Sequence, residues 1–201
     1  MMRKGLIKHM IRKLEYRCFY EGQQEEMYFQ HFSKLIKELN PNISIKFKKV
    51  AKLNTIESSS TSVPKLAIFD YDLNKIEFEK KVKICKKTRV LYSNLNFDLW
   101  LVLHKKKYMK NVQSNDAYVK LIKDYYNLPV TANIKNEKNI QKILEQINIE
   151  DIKRAITNAE EIMQGKLDND KIYVKKGFEY YPNPSMSIHK FFKEIFEDLE
   201  I

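Results

Sequence analysis

Apolar positions recur with two different periods along the chain. Residues 15–20 are rich in aromatic and β-favouring side chains and predict a strand ending at Glu21-Gly22, where glycine permits a tight turn. From Gln24 the spacing becomes helical. Met27, Phe29, Phe32, Leu35, Ile36 and Leu39 approximate one face, and Asn40-Pro41 stops the helix. Residues 43–50 alternate Ile43, Ile45 and Phe47 with Ser44, Lys46 and Lys48, a strand pattern. Residues 58–62 are a polar loop, short enough for a mobile rim. Residues 65–70 form a short, mostly apolar run, the mark of a buried central strand. A short helix over 76–86 and a strand over 88–93, ending at Asn94, complete this region.

Beyond residue 94 helical patterns dominate: 97–104, 116–126, 137–147, 149–164 and 185–199. The order predicts an α/β fold with at least partly parallel pairing. It divides into a basic N-terminal arm at 1–14, a sheet core with flanking helices at 15–95, and a helical C-terminal half at 96–201 that covers the core. The boundary near residue 95 need not separate independent domains.

Composition changes this picture in three ways. No apolar run approaches the roughly 20 residues that cross a bilayer, and the basic start lacks the apolar core of a secretory signal, so a cytoplasmic protein without a membrane partner is expected. Cys18 and Cys85 lie far apart among apolar residues and read as buried hydrophobes, not as a disulfide or a metal pair. The formal charge of +11 attracts polyanions, although abundant Lys, Asn and Ile together also follow from AT-rich coding.

In α/β sheets ligands bind outside the carboxyl ends of the strands. Here one strand ends at Glu21, another at Asp70-Tyr71-Asp72 and a third at Ser93-Asn94. If these strands are parallel neighbours, Glu21, Asp70 and Asp72 converge. Extended geometry across Asp70 and Asp72 puts both carboxylates on one face. Glu25 follows Glu21 by four residues, so a helix returns it to the same edge. Converging carboxylates repel and require a counter-charge, and Mg²⁺ prefers such oxygen ligands. A strand-terminal acid also serves in turns and caps, and Asp72-Leu73-Asn74 is placed to cap the next helix.

Four segments resemble the RloB/AbiLii-like group of Toprim-type proteins. Residues 20–29, Tyr-Glu-Gly-Gln-Gln-Glu-Glu-Met-Tyr-Phe, resemble that group's EG-x-T-E-x-x-Y-F opening. Residues 67–72, Ala-Ile-Phe-Asp-Tyr-Asp, are similar to its hhh-D-x-D strand. Residues 93–104, from Ser93-Asn94 through Trp100 to His104, resemble SNP-x-FE-x-W-LLLHF, the most specific of the four. Asn183-Pro184-Ser185 with Ile188-His189 resembles NPST-x-V-H. Gln24 stands in place of threonine, Leu95 of proline, Asp98 of glutamate and Met186 of threonine.

The resemblance implies a Toprim-like core and a part in bacterial anti-phage defence, often beside an AAA/ABC-type ATPase. It implies metal-dependent nuclease activity on DNA or tRNA, assisted by one or two Mg²⁺ or Mn²⁺ ions. Glu21 would be a metal ligand or general acid/base, Asp70 and Asp72 metal ligands, Glu25 a ligand for a second metal, and Asp98 a further ligand from the helix facing the site. Asn94, His104, Lys105 and Lys110 are candidates for substrate contact, each with a structural alternative: a turn for Asn94, a helix cap for His104, a solvated surface for the lysines. His189 reads as structural, and Trp100, Leu101 and Leu103 as core. Tyr125-Tyr126 and Tyr180-Tyr181 are candidates for base stacking or for packing. The alternative to a nuclease is a non-catalytic regulatory subunit that binds nucleic acid or an ATPase.

Overall fold

The computed structural model describes residues 11–175 and 177–201. Its strands are β1 (Arg12–Tyr20), β2 (Ile43–Lys49), β3 (Lys65–Asp70), β4 (Arg89–Asn94), β5 (Ile172–Lys175), β6 (Phe178–Tyr180) and β7 (Ser185–Met186). Its helices are α1 (Gln23–Leu39), α2 (Leu53–Ser58), α3 (Lys75–Ile84), α4 (Asp98–Leu103), α5 (Asp116–Tyr125), α6 (Glu137–Leu144), α7 (Ile149–Gln164) and α8 (Ile188–Leu199). The main sheet has the order β2-β1-β3-β4-β7. β1 to β4 pair in parallel, and β7 adds antiparallel to β4. This mostly parallel sheet with flanking helices is consistent with the expected α/β, Toprim-like core.

The expected elements and the observed ones differ where tertiary contacts outweigh local pattern. The basic arm expected over 1–14 falls, up to residue 10, outside the described residues. Arg12, Lys13 and Leu14 already belong to β1, in register with Ile43, Ser44 and Ile45. Helix α8 begins at Ile188 and not at Ser185, because Ser187 is tied to the sheet edge. Its hydroxyl accepts from the Tyr92 N–H at 3.1 Å, and its own N–H donates to the Tyr92 carbonyl at 3.0 Å. Ser185 and Met186 are thereby held as strand β7. The C-terminal half also contains the hairpin β5–β6, whose turn uses Gly177 at φ +80°, a conformation that favours glycine.

One hydrophobic cluster runs from Cys18 and Tyr20 on β1 through Phe29 and Phe32 on α1 to Phe192 and Leu199 on α8, taking in α4 to α7. The helical half therefore does not sit on a finished core; it completes it. A smaller cluster on the other sheet face joins Phe69, Phe78, Cys85, Tyr92 and Tyr180. Both cysteines are free and buried, as their apolar neighbours predict.

At the centre of the large cluster Trp100 stacks on Phe192 with ring centroids 5.4 Å apart. Beside them His104 is fully buried. Its Nδ1 lies 2.7 Å from the Trp100 carbonyl, which can only accept, so Nδ1 carries the proton. Nε2 then accepts from the Tyr28 hydroxyl at 2.7 Å. Burial pushes this imidazole down to about 3. The unfolded chain therefore binds the proton first, and stability contributed by neutral His104 is lost as pH falls from about 6.5. Burial lowers His189 to about 4, which adds the same sign. In unfolding free energies from urea titrations, each histidine should contribute a fall of up to ~1.4 kcal/mol per pH unit as pH drops from about 6.5 to 4.5, opposed by the raised carboxyls of Asp70 and Glu25. His104→Gln should unfold more readily at pH 7.5 yet show a shallower fall; an unchanged slope would refute this account.

Candidate functional site

Because β1, β3 and β4 are adjacent and parallel, their carboxyl ends share one edge. Tyr20 pairs with Ile68, and Asp70 with Ser93. Glu21 thus comes directly after β1, next to the end of β3, and its Oε2 accepts from the Asp70 backbone N–H at 2.8 Å. Its other oxygen is ion-paired with Lys81 of α3. Asp70 Oδ1 accepts from the Phe97 N–H at 2.9 Å, which fixes this carboxylate against the start of α4.

Glu25 lies in the first turn of α1 and is only 3 % exposed. Gly22 makes that possible, but not through unusual dihedrals: at φ −125° and ψ 173° it is ordinary extended backbone. What matters is space. A Cβ on Gly22 would stand 2.6 Å from Glu25 Oε2. The glycine expected to serve a tight turn is instead the seat of a carboxylate.

Asp72 lies past the end of β3 at φ 47°, with Leu73 after it at φ 56°. The extended alternation expected to align it with Asp70 does not hold, because the chain turns here into α3. The cap of that helix is Asn74, which accepts from the Glu77 N–H at 3.1 Å. Asp72 is exposed, yet near enough for its charge to act on Asp70.

Asp98 opens α4 and is wholly buried. Its Oδ2 accepts from the Asn96 amide at 3.2 Å and its Oδ1 from Lys135 Nζ at 3.1 Å. Lys135 comes from the loop between α5 and α6 and also donates to Gln24 Oε1 at 2.9 Å. Nothing in the sequence pattern singles it out among so many lysines. Gln24 and Asp98 are two of the positions that depart from the RloB/AbiLii pattern, and both hold this ammonium.

The electrostatics arise from the crowding. Burial, then the charges of Glu25, Asp72 and Glu21, push Asp70 well above the usual carboxylate range, against the pull of Lys135. Burial also raises Glu25, with Asp98 and Glu21 adding to it. Lys135 is raised: burial disfavours its charge, but Asp98, Asp70 and Glu25 outweigh that cost.

The remaining candidates lie farther from this cluster or inside the core. Asn94 is buried, with Nδ2 donating to the Tyr181 carbonyl at 3.1 Å and Oδ1 without a partner. His104, buried and bonded through both ring nitrogens, has no atom left for substrate. Lys105 donates to the Gln146 carbonyl at 2.8 Å and lies over the Tyr126 ring, so it braces the helices. Lys110 is exposed. Tyr126 and Tyr180 are buried and unable to stack on bases, whereas Tyr125 and Tyr181 are half-buried. His189 is buried, as expected of a structural residue.

The donor chemistry is of the kind a hard divalent cation takes: carboxylate oxygens with negative charge in excess of the two lysines. The arrangement is not closed, however. Among the described residues no group of three or more His, Cys, Asp or Glu is gathered tightly enough to hold a metal. Lys81 and Lys135 occupy Glu21 and Asp98, leaving Glu25, Asp70 and Asp72 as the carboxylates outside these ion pairs.

The RloB-like protein family model matches residues 16–195. The chain belongs to the RloB-like family. The match begins within β1 and ends within α8, so this RloB-like chain carries the whole carboxylate edge inside the matched region. No curated protein and no solved structure matches it.

Asp70 takes up its proton more readily folded than unfolded. The benefit is therefore full below the unfolded value near 3.9 and is lost as pH rises through the folded one. Asp70→Asn, which keeps the acceptor for Phe97, should raise Tm at pH 7.5 by about 2–4 °C, the effect of ~1 kcal/mol in a chain this long. The gain should vanish near pH 3.5, and a loss of Tm at pH 7.5 would contradict the repulsion. Gly22→Ala should return the carboxyl titration of Glu25, tracked by ¹³C NMR, toward an ordinary value; an unmoved titration would mean that Glu25 does not depend on the glycine.

Proposed function

We propose that this RloB-like protein is a divalent-metal-dependent nuclease of the Toprim type, hydrolysing phosphodiesters of DNA or of RNA such as tRNA in bacterial defence against phage. The observation that carries the reading is the carboxylate edge, where Asp70 and Glu25 are held at raised proton affinity by their neighbours. Carboxyls raised in this way cluster at functional sites, although structural ion-pair networks raise them as well. Asp70 with one of Glu25 or Asp72 would hold Mg²⁺ or Mn²⁺, since one or two carboxylates suffice for such an ion, and Glu21 would be available only on release from Lys81. Such an ion supplies Lewis-acid polarisation of a phosphoryl oxygen and a more acidic bound water. Phe97 N–H keeps the Asp70 carboxylate aimed at the edge. Lys135 places a positive charge where a phosphate would otherwise meet only carboxylates. The formal charge of +11 favours a polyanionic substrate.

A second reading, a non-catalytic subunit that binds nucleic acid or an AAA/ABC-type ATPase, is favoured by one observation. Glu21 and Asp98 are already neutralised by Lys81 and Lys135, as in a purely structural ion-pair network.

Cleavage of labelled DNA and total tRNA, with Mn²⁺, Mg²⁺ or EDTA and with and without a partner ATPase, separates the two. The nuclease reading expects metal-dependent cutting that falls at least ~100-fold in Asp70→Ala and Glu21→Ala, the order of loss when a transition-state contact is removed. Cutting that survives both substitutions would end the carboxylate mechanism. Binding without cutting under every condition would favour the second reading.

A further inference from the structure

A second candidate site lies away from the carboxylate edge. A cavity of ≈ 490 Å³ opens at the amino end of β4, between the end of α3, the β5–β6 hairpin and the start of α8. β4 is six residues long, and at about 3.3 Å per residue its two ends are roughly 17–20 Å apart. The lining extends along β4 only as far as Leu91, and none of Glu21, Glu25, Asp70, Asp72 or Asp98 contributes to it.

Its lining is cationic. Lys86, Arg89, Lys175 and Lys190 contribute to it from four different elements or their ends. Arg89 is engaged by Glu194 in a two-pronged pair at 2.5 and 2.7 Å. Lys86, Lys175 and Lys190 form no ion pair or side-chain hydrogen bond among the described residues. Glu179, the one acid in the lining, is 3.4 Å from Lys171. Three ammonium groups without an ion pair face one concavity, and an anion there would meet a net positive lining.

The rim supplies a second kind of contact. Tyr173 on β5 lines the same cavity and is 72 % exposed, while its strand neighbours Ile172 and Val174 pack inward. Large exposed aromatic rings beside lysines are the usual components of base-stacking surfaces. The packing alternative that applies to Tyr126 and Tyr180 does not apply to Tyr173. The volume accommodates one nucleotide, with room for its phosphate among the lysines.

We propose that this cavity binds a nucleotide phosphate, with the base against Tyr173 and the phosphate among Lys86, Lys175 and Lys190. The ligand is either a free nucleotide or one unit of a nucleic-acid strand. The site does not depend on the carboxylate edge being catalytic.

The test is fluorescence anisotropy in EDTA with a labelled single-stranded oligonucleotide of about 12 nucleotides, AMP serving as competitor. The variant Lys86→Gln/Lys175→Gln/Lys190→Gln is compared with Lys37→Gln/Lys120→Gln/Lys142→Gln, an equal charge change at exposed lysines elsewhere. Thermal melts confirm folding, and Tyr173→Ala provides a single substitution at an exposed side chain. The cavity variant should bind at least ~10-fold more weakly, and its log K against log salt slope should fall by about 0.7, the value for one phosphate contact of a single strand. Tyr173→Ala should lose several-fold and the control triple less than twofold. Displacement by AMP would identify the free nucleotide as sufficient; retention of the oligonucleotide against AMP would identify the strand. Equal losses in both triple variants, or wild-type binding by the cavity variant and Tyr173→Ala, would overturn the proposal.

Discussion

Neighbouring parallel strands that stop at one edge bring their ends together, and here β1 is followed by Glu21 while β3 ends in Asp70. Glu21 and Asp70 are bound directly through a backbone N–H, Glu25 is brought in by the first turn of α1, and Asp98 by the first turn of α4. Unit charges about 4 Å apart interact with several kcal/mol even at the effective dielectric of a protein surface. The fold must offset that repulsion, and Lys81 and Lys135 do so from different elements. The position of the α5–α6 loop is thus tied to the electrostatics of the sheet edge.

Much of the architecture could be read from residue patterns because local and tertiary preferences agree. The run at 65–70 is apolar enough to be a central strand and is one. Helix α7 has both its periodicity and a capping box between Asn148 and Asp151. Where the reading failed, a contact distant in sequence or an unusual backbone conformation decided the outcome. Ser185 and Met186 become a strand because Ser187 is anchored to Tyr92, 95 residues away. Asp72 leaves the strand face where it and Leu73 turn left-handed, which no hydrophobic period reveals. Lys135 meets Asp98 across 37 residues, and in so lysine-rich a chain no local signal marks it.

The segment from Ser93 to His104 shows how chemistry and packing divide one stretch. Its first part serves the edge: Phe97 N–H holds Asp70 and Asp98 holds Lys135. Its second part serves the core, where Trp100 stacks on Phe192 and His104 bonds to Tyr28. A helix of six residues is too short to be stable alone. Its buried face is therefore what keeps its amino end in place at the site.

The continuous apolar cluster shared by β1, α1 and the helices up to α8 has a consequence for how the molecule comes into being. During synthesis β1 to β4 emerge first, but the surface that covers α1 and β1 arrives only with α8. Until α8 docks, Phe29, Phe32 and Tyr28 have no complete enclosure, and until the α5–α6 loop emerges the acidic edge has no Lys135. The nascent chain is therefore left without a finished site until α8 has emerged and docked, so that any activity residing there would be withheld until then.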